Sequence, residues 1–547
     1  MDYQCQVSAI NGATVEHLIG MKLKAWLYKD RLHTGSPLSV GLRAAIFAGL
    51  TPRRKKLLIG FGSFVGLVAA FLILEHFRGG WALSRWKARM AAKGERLSVD
   101  KLEPAPIPAD ENGMPQLLWV AGQLGSFPND LQPPAGRYAG PGKWVLITRM
   151  NGWREFGAKR TNATWVEVAE NLSACESRIE AALEALQSSA FNANLFYRGG
   201  LNGMSFNHLA RIKSLSIFLS TAALHDLHQY QTEEAYRKLQ GLFAVPNVLK
   251  GEPAVISQLV RIATMQISVP ALWQALQCDG WSDAQLAALQ DAWSAHDFLR
   301  GMDHAFAMER ACGRIEFERM RSSATPLSDL FGGTVTPTAT PSLLSWDWVG
   351  QMFDPRERIF APIWRFAWSE QDELHYSEVI QAVLEAHREA EPTRTGATVI
   401  AAINKIESQP MGPYDYCRFL ISRLMSASVS KSLVRAWMAQ TTAEVAKTAI
   451  AIKRYQLREG ELPTTLAALV PEFLENVPID YMDGKPLRYC LEADGSFLLY
   501  SVGEDGRDGH GDATSKGGGL HYQMTRDLVW PRRASDLEVL SWNTLRR

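Results

Sequence analysis

The sequence predicts a mainly α-helical protein: a single transmembrane helix, a helical array or bundle, then a helix packed on a short antiparallel sheet in a small α+β C-terminal module. Three features carry this. Residues 57–74 form an apolar run without a charge, apolar residues recur every three or four positions through much of 164–457, and after residue 460 turn formers separate short β-prone runs. A chain of 547 residues has room for two or three domains with full cores. Its 58 basic and 57 acidic side chains nearly cancel, so no nucleic-acid partner is expected.

Residues 1–56 form a basic head. Between Met21 and Lys56 the chain holds Lys22, Lys24, Lys29, Arg31, Arg43 and the cluster Arg53-Arg54-Lys55-Lys56 against one acid, Asp30. Met21 is a second candidate start, because residues 1–20 show no pattern. The run Leu57 to Leu74 follows at once. Its 18 residues, at about 1.5 Å each, span roughly 27 Å, close to the hydrocarbon thickness of a bilayer. The expectation is a transmembrane helix over 57–75 in the inner membrane, with the basic head in the cytoplasm and the large remainder in the periplasm. Two readings compete with it. A cleaved signal peptide has a shorter apolar core and a small-residue cleavage site, and neither is found before Glu75 and His76. A buried core helix seldom runs five turns without a charge to face water. The far flank is also basic, through Arg78, Arg85, Lys87, Arg89, Lys93 and Arg96, which weakens the sidedness.

Residues 76–117 read as a juxtamembrane helix, Trp81 to Arg96 with Gly94 as its stop, and a linker. Pro104, Pro106, Pro108 and Pro115 make that linker extended, since proline fixes φ and removes a backbone donor. A helical domain is expected over 118–412. It opens with a small irregular or β-containing cap to about residue 160, around Trp144-Val145-Leu146-Ile147. From Thr164 the pattern turns helical: Thr164-Trp165-Val166-Glu167 has capping-box form, and Leu172, Cys175, Ile179, Leu183 and Leu186 follow at spacings of three and four. Further helices are expected at 207–229, 232–243, 252–277, 282–298 and 300–320, with a second capping box in Ser282-Asp283-Ala284-Gln285. Residues 321–345 are rich in Ser, Thr, Gly and Pro and read as a long loop. The aromatic-dense stretch after it, with Trp346, Trp348, Phe353, Phe360, Trp364, Phe366 and Trp368, is core, a lipid-facing surface or a ligand site. Helices resume at 370–390, 396–408 and 413–457.

Catalytic signatures are sparse. Cys5, Cys175, Cys278, Cys312, Cys417 and Cys490 lack zinc-type spacing, so they are free thiols or, in an oxidising compartment, one or two disulfides. His225 and His228 share a helix face and could ligate zinc, but no HExxH or third ligand accompanies them. Glu309 and Glu316 share a face with His304 nearby, as an acid/base pair requires. Arg310, Arg314 and Arg319 are interleaved, however, and favour a salt-bridged face. No GxSxG, P-loop or dinucleotide fingerprint appears.

The C-terminal region, 413–547, differs in kind. A helical stripe of Leu433, Val434, Trp437, Met438, Val445, Ala449 and Ile452 runs into Tyr455-Gln456-Leu457-Arg458-Glu459-Gly460-Glu461-Leu462-Pro463-Thr464-Thr465. Asp480-Tyr481-Met482-Asp483-Gly484-Lys485-Pro486-Leu487-Arg488-Tyr489 and Tyr500-Ser501-Val502-Gly503-Glu504-Asp505-Gly506 follow in order. Over roughly 440–530 this resembles the C-terminal half of the major pseudopilin of type II secretion systems. That resemblance implies a helix packed on a small sheet and a loop that binds calcium. Asp505 matches the family's Asp-Gly element and Asp527 the later Asp that closes the site; Asp508 and Asp512 add carboxylates between them. Hard oxygen donors in a Gly-rich loop also suit Ca²⁺ chemically. The loop is longer than the family's, through Gly517-Gly518-Gly519, and the apolar run lies far upstream without a prepilin-peptidase motif. A processed pilus subunit is therefore not expected. The layout as a whole resembles a group of large uncharacterised membrane-anchored proteins of the Planctomycetes and Verrucomicrobia, which supplies no activity.

The expected function is accordingly that of a single-span membrane protein whose helical domain binds or scaffolds a protein partner, with the terminal module as a calcium-stabilised interaction head linked to secretion or envelope assembly. The alternative is a periplasmic hydrolase with its site at His304, Glu309 and Glu316 or at the tryptophan cluster. The sequence names no small-molecule ligand.

Overall fold

The structure, a computed structural model, describes residues 51–128, 138–146, 164–322, 360–514 and 525–539. The lysines and arginines of the head before Arg53, most of the 321–345 loop, Trp346, Trp348, Phe353 and Gly517 to Gly519 lie outside the described residues. Among the described residues the protein is mainly helical, 66% of them, with a small antiparallel sheet module in the C-terminal region. Its chain divides into two units, Met1–Glu75 and His76–Arg547.

The described part of the first unit is the beginning of helix α1, Pro52–Ala92. None of its most apolar 18-residue window is buried, and Leu57, Phe61, Leu67 and Leu74 are each more than 60% exposed. A second helix of spanning length and composition, Val255–Leu276, is mostly buried and belongs to the core.

The second unit begins inside α1. The sequence suggested a fresh helix at Trp81, but α1 runs through Gly79 and Gly80 unbroken. These glycines serve close packing: a Cβ on Gly79 would come within 2.9 Å of Gln371. Leu83, Trp86 and Met90 are buried, Lys87 meets Glu373 at 3.0 Å, and Arg78 donates to Gln371 at 2.9 Å. The helix stops where the sequence placed its stop. Gly94 takes φ +83°, and Glu95 N–H returns to the Met90 carbonyl, satisfying orphan acceptors of the last turn. The proline-rich linker lies against the helices, with Gly113 N–H on the Ala190 carbonyl and Val99 buried beside Tyr197 and Met308.

The helices that follow are α2 (Met114–Leu124), α3 (Trp165–Ser173), α4 (Glu176–Ala185), α5 (Asn207–His228), α6 (Thr232–Val248), α7 (Val255–Leu276), α8 (Asp283–Ser294) and α9 (Phe298–Ser322). After a π-helical stretch, Trp364–Trp368, come α10 (Ser369–Ala390), α11 (Gly396–Glu407), α12 (Pro413–Arg418) and α13 (Leu420–Glu459). Both expected capping boxes form. Thr164 Oγ1 accepts from Glu167 N–H and Ser282 Oγ from Gln285 N–H, while the Glu167 and Gln285 side chains return to the cap amides.

Helix α13 forms the centre of the packing. Ala436, Ala439, Ala443, Ala446 and Ala449 are buried beside the bulk of Trp437, and these small side chains let α7, α8, α9 and α10 approach it. It ends on Gly460 at φ +81°, the left-handed closure that the Gly-x-x-Pro-Thr pattern implies. Among the described residues two small sheets complete the unit. Strands β3 (Arg488–Leu491), β4 (Phe497–Ser501) and β5 (Leu528–Val529) are antiparallel, in register Arg488↔Tyr500 and Ser501↔Leu528. Strands β1 (Tyr138–Gly140) and β2 (Lys143–Trp144) from the early cap are antiparallel, and β2 pairs in parallel with β6 (Arg532–Arg533). Trp273 of α7 donates to the Pro531 carbonyl at 2.7 Å, so the core helices hold this second sheet directly.

Candidate functional site

The acidic loop leaves β4 and returns at β5. Asp527 just before β5 is fully buried, and its carboxylate accepts three backbone amides of the loop: Gly509 N–H at 3.2 Å, Gly511 N–H at 2.8 Å and Asp512 N–H at 2.9 Å. Burial pushes its carboxyl above the ordinary range, opposed by the same amides, which favour the anion. Asp508 accepts from Tyr500 Oη–H at 3.0 Å and His510 N–H at 2.9 Å, and its second oxygen lies 3.6 Å from Arg488. Asp512 accepts from the Thr514 amide and hydroxyl and lies 3.6 Å from Arg526. Both carboxyls are held below the usual range, Asp508 chiefly by the His510 amide and Asp512 chiefly by the Thr514 hydroxyl.

Gly509, next to Asp508 in the chain, lies close to the other two: a Cβ there would meet Asp527 Oδ2 at 2.9 Å and Asp512 Cβ at 3.2 Å. Asp505 sits one turn earlier, accepting from Arg507 N–H at 3.1 Å. The donors are chemically suited to Ca²⁺. For Asp508 and Asp512 to bind it, each would have to exchange an arginine for the cation. Among the described residues no group of three or more His, Cys, Asp or Glu side chains is arranged to hold a metal ion.

Sequence reasoning missed the most connected carboxylate of the module. Asp480 is fully buried and accepts from Met482 N–H (2.9 Å), Ser501 Oγ–H (2.7 Å), Val502 N–H (2.9 Å) and Arg488 (2.9 Å). Arg488 also grips Asp483, so one guanidinium ties the Asp480 turn, β3 and the acidic loop together. The signal was present in the Asp480 to Gly484 turn, but only pairing with β4 shows that Asp480 faces inward.

The helical-domain candidates do not converge. His304 is exposed and lines a cavity of about 260 Å³ with Glu252 and Lys250; Glu309 and Glu316 are not among its walls. Glu316 is buried, bonded to Arg319 and to Asn202 N–H at 3.0 Å, where it closes the turn Leu201–Gly203. Glu309 is partly buried, and the loss of water around it pushes its carboxyl up to about 7. His228 stacks on Trp165 at 4.4 Å, and His225 meets Asp226, itself paired with Lys238 at 2.7 Å. Trp364 is fully buried and donates to Asp372, whose carboxylate caps Ile421 and Ser422 N–H at the start of α13. The five described cysteines are all free thiols.

A larger cavity, about 530 Å³, opens where the α8–α9 junction, the turn after α10, the flank of α13 and Tyr481 of the C-terminal module meet. No sequence motif pointed to it. Comparison with family models, with curated proteins and with solved structures finds no match.

Proposed function

We propose that this chain is a membrane-anchored binding protein, held by one span over residues 57–75. On this reading the basic head lies in the cytoplasm and the unit from His76 onward on the periplasmic side of the inner membrane. The observation that carries it is the exposed apolar surface of α1 before Glu75. Burying a large aliphatic or aromatic side chain is worth about 1.5–3 kcal/mol, so a helix showing so many of them to water asks for a lipid environment. Arg53 to Lys56 set its orientation.

The unit beyond the membrane binds or scaffolds a protein partner. Its C-terminal sheet module, similar in motif order to the major pseudopilin, is the interaction head, and the loop of Asp505, Asp508, Asp512 and Asp527 takes up calcium that stiffens it. The ordered motifs and the closeness of Asp527 and Asp512 to Gly509, beside Asp508 in the chain, support this. The separate surroundings of His304, Glu309 and Glu316 favour a binding role over the hydrolase alternative.

Anchorage is tested by alkaline extraction of membranes and by reporters fused at the C-terminus. The chain should stay with the membrane, and a reporter active only outside the cytoplasm should light up. Release by carbonate, or a cytoplasmic signal, overturns the anchor or its sidedness. Affinity capture of the detergent-solubilised full chain should recover a stoichiometric protein partner; recovery of the chain alone defeats the scaffold reading.

A further inference from the structure

Exposed aromatic side chains meet where α1 enters the second unit. Phe77 and Trp81, four residues apart and so on one face of α1, are both more than 60% exposed. Phe366 in the π-helical turn before α10, Tyr414 and Tyr416 of α12, and Leu424 at the start of α13 are each at least 38% exposed. The aromatic-dense stretch of sequence is thus divided, with Trp364 in the core and Phe366 facing outward. Bonds hold these segments side by side. His76 Nδ1–H donates to the Phe366 carbonyl at 2.8 Å and stacks on its ring at 5.0 Å. Gln371 Oε1 accepts from Arg78 of α1 and from Arg418 of α12, both at 2.9 Å, and Trp368 Nε1 donates to Tyr414 Oη at 3.1 Å. Single exposed apolar residues are ordinary, but several drawn from three stretches of chain make a patch that calls for a partner.

What covers the patch follows from its place in the chain and from its composition. His76 is the first residue after the span proposed at 57–75, and Arg78 stands two residues further, about 3 Å of helix rise. The polar layer on each side of a bilayer is roughly 5–8 Å deep, so the groups bonded to His76 and Arg78 stand at headgroup level. Trp and Tyr favour that layer because the ring is apolar while the indole N–H or the phenol reaches water. Arginines lie across the same aromatics: Arg85 over Trp81 at 5.2 Å, Arg418 over Tyr414 at 5.0 Å and Arg423 over Tyr416 at 3.8 Å. Arg418 is paired with Asp415 at 2.6 Å. Arg85 and Arg423 have no ion pair among the described residues, and a guanidinium in that position suits a phosphate oxygen.

We infer that this surface, built from the first turns of α1 past His76, the π-helical turn and α12, lies in the headgroup layer of the membrane that α1 crosses. The aromatic side chains sit among the lipid headgroups, and Arg85 and Arg423 bind their phosphates. The inference rests on the anchored reading above. It adds a second contact with the bilayer, made by segments about three hundred residues or more beyond the span in sequence.

Two native cysteines supply the test. Cys417, exposed between Tyr416 and Arg418, reports on the patch. Cys490, exposed on β3, is the control: its neighbour Tyr489 bonds to Pro463 beyond the far end of α13, a helix of 40 residues and so about 60 Å long. The full chain, with Cys5, Cys278 and one of these two replaced by serine, is labelled with an environment-sensitive maleimide. It is then reconstituted in vesicles of phosphatidylethanolamine and phosphatidylglycerol, with and without a headgroup nitroxide lipid as quencher. Carbonate extraction, run in parallel, reads the span alone. The probe at Cys417 should be quenched roughly threefold or more as strongly as the probe at Cys490, because only a group in the interfacial layer meets the nitroxide. Trp81→Glu combined with Phe366→Glu, both at exposed positions, should bring Cys417 down toward the control while the chain stays carbonate-resistant. Quenching at Cys417 no stronger than at Cys490 in carbonate-resistant protein overturns this surface and leaves the anchor standing. A probe shielded from water but untouched by the nitroxide lipid means a protein cover, and overturns it as well. Quenching that survives both substitutions overturns the role given to the aromatic side chains, and release by carbonate overturns the anchor and this contact with it.

Discussion

Asp527→Ala should unfasten the acidic loop whether or not calcium is present. The wild-type carboxylate, fully buried, receives Gly509, Gly511 and Asp512 N–H at 3.2, 2.8 and 2.9 Å. Hydrogen bonds to a charged group are worth about 1.5–3 kcal/mol net each. They share one anion and do not add fully, so the loss is about 3–5 kcal/mol, the range for stripping a buried charge from its partners. Those amides also hold His510 at φ +57° and Gly511 at φ +80°. The left-handed region is disfavoured for an L-residue by roughly 1–2 kcal/mol, so the loop has reason to relax once released. Hydrogen exchange of the full chain in detergent is the assay. At 1.36 kcal/mol per tenfold, the amides of 509–512 should exchange on the order of a hundredfold faster or more, in millimolar calcium and in chelator alike. Unchanged exchange of Gly509 to Asp512 in the Asp527 variant would refute the structural role assigned here. A full chain is required, because α13 is part of the helical core and a fragment would uncover Trp437, Val445 and Ile450.

Three further outcomes are expected. Asp480→Ala strips Arg488 of one buried partner and leaves Met482 and Val502 N–H unmet, and should cost about 3–5 kcal/mol in the local opening of β3 and β4. Asp494→Ala, in the exposed hairpin turn, should stay within about 1 kcal/mol, and equal effects of the two would contradict the network. Glu309 has its folded pKa raised from 4.5 to about 7, so its stabilising share is full below pH 4.5 and lost as pH climbs through 7, by at most about 3 kcal/mol. Glu309→Gln should flatten that part of the stability–pH curve, and an unaltered curve would show that the group titrates normally. Ser282→Ala removes the acceptor for Gln285 N–H and should weaken the first turn of α8 by about 1 kcal/mol, read as faster exchange of that amide.

The network around Arg488 explains why the module was only partly legible. The short β-prone runs Leu487 to Cys490 and Phe497 to Val502, with Asp494-Gly495 between, made the hairpin readable because turn chemistry and β-propensity act within a few residues. Which Asp would be buried was not readable. Asp480 and Asp494 both precede turns, yet one receives four donors inside and the other caps a solvent-facing turn, a difference set by what β4 places opposite. In the same way no motif marks the cavity lined by His296, which forms only where the α8–α9 junction, α13 and Tyr481 meet.

By itself the sequence determined what depends on near neighbours: the helical periodicity, both capping boxes, the Gly94 and Gly460 closures, the hairpin, and the apolar run of α1. Tertiary structure alone decided the rest. The pairing of β2 with β6 joins segments nearly four hundred residues apart, the glycines at 79 and 80 became a packing surface instead of a break, and α13 became the centre of the helical core. The physical reason is range. Capping, turns and hydrophobic periodicity are set by a few consecutive residues, whereas burial, unmet hydrogen bonds and ion-pair geometry depend on which distant surface arrives to exclude water.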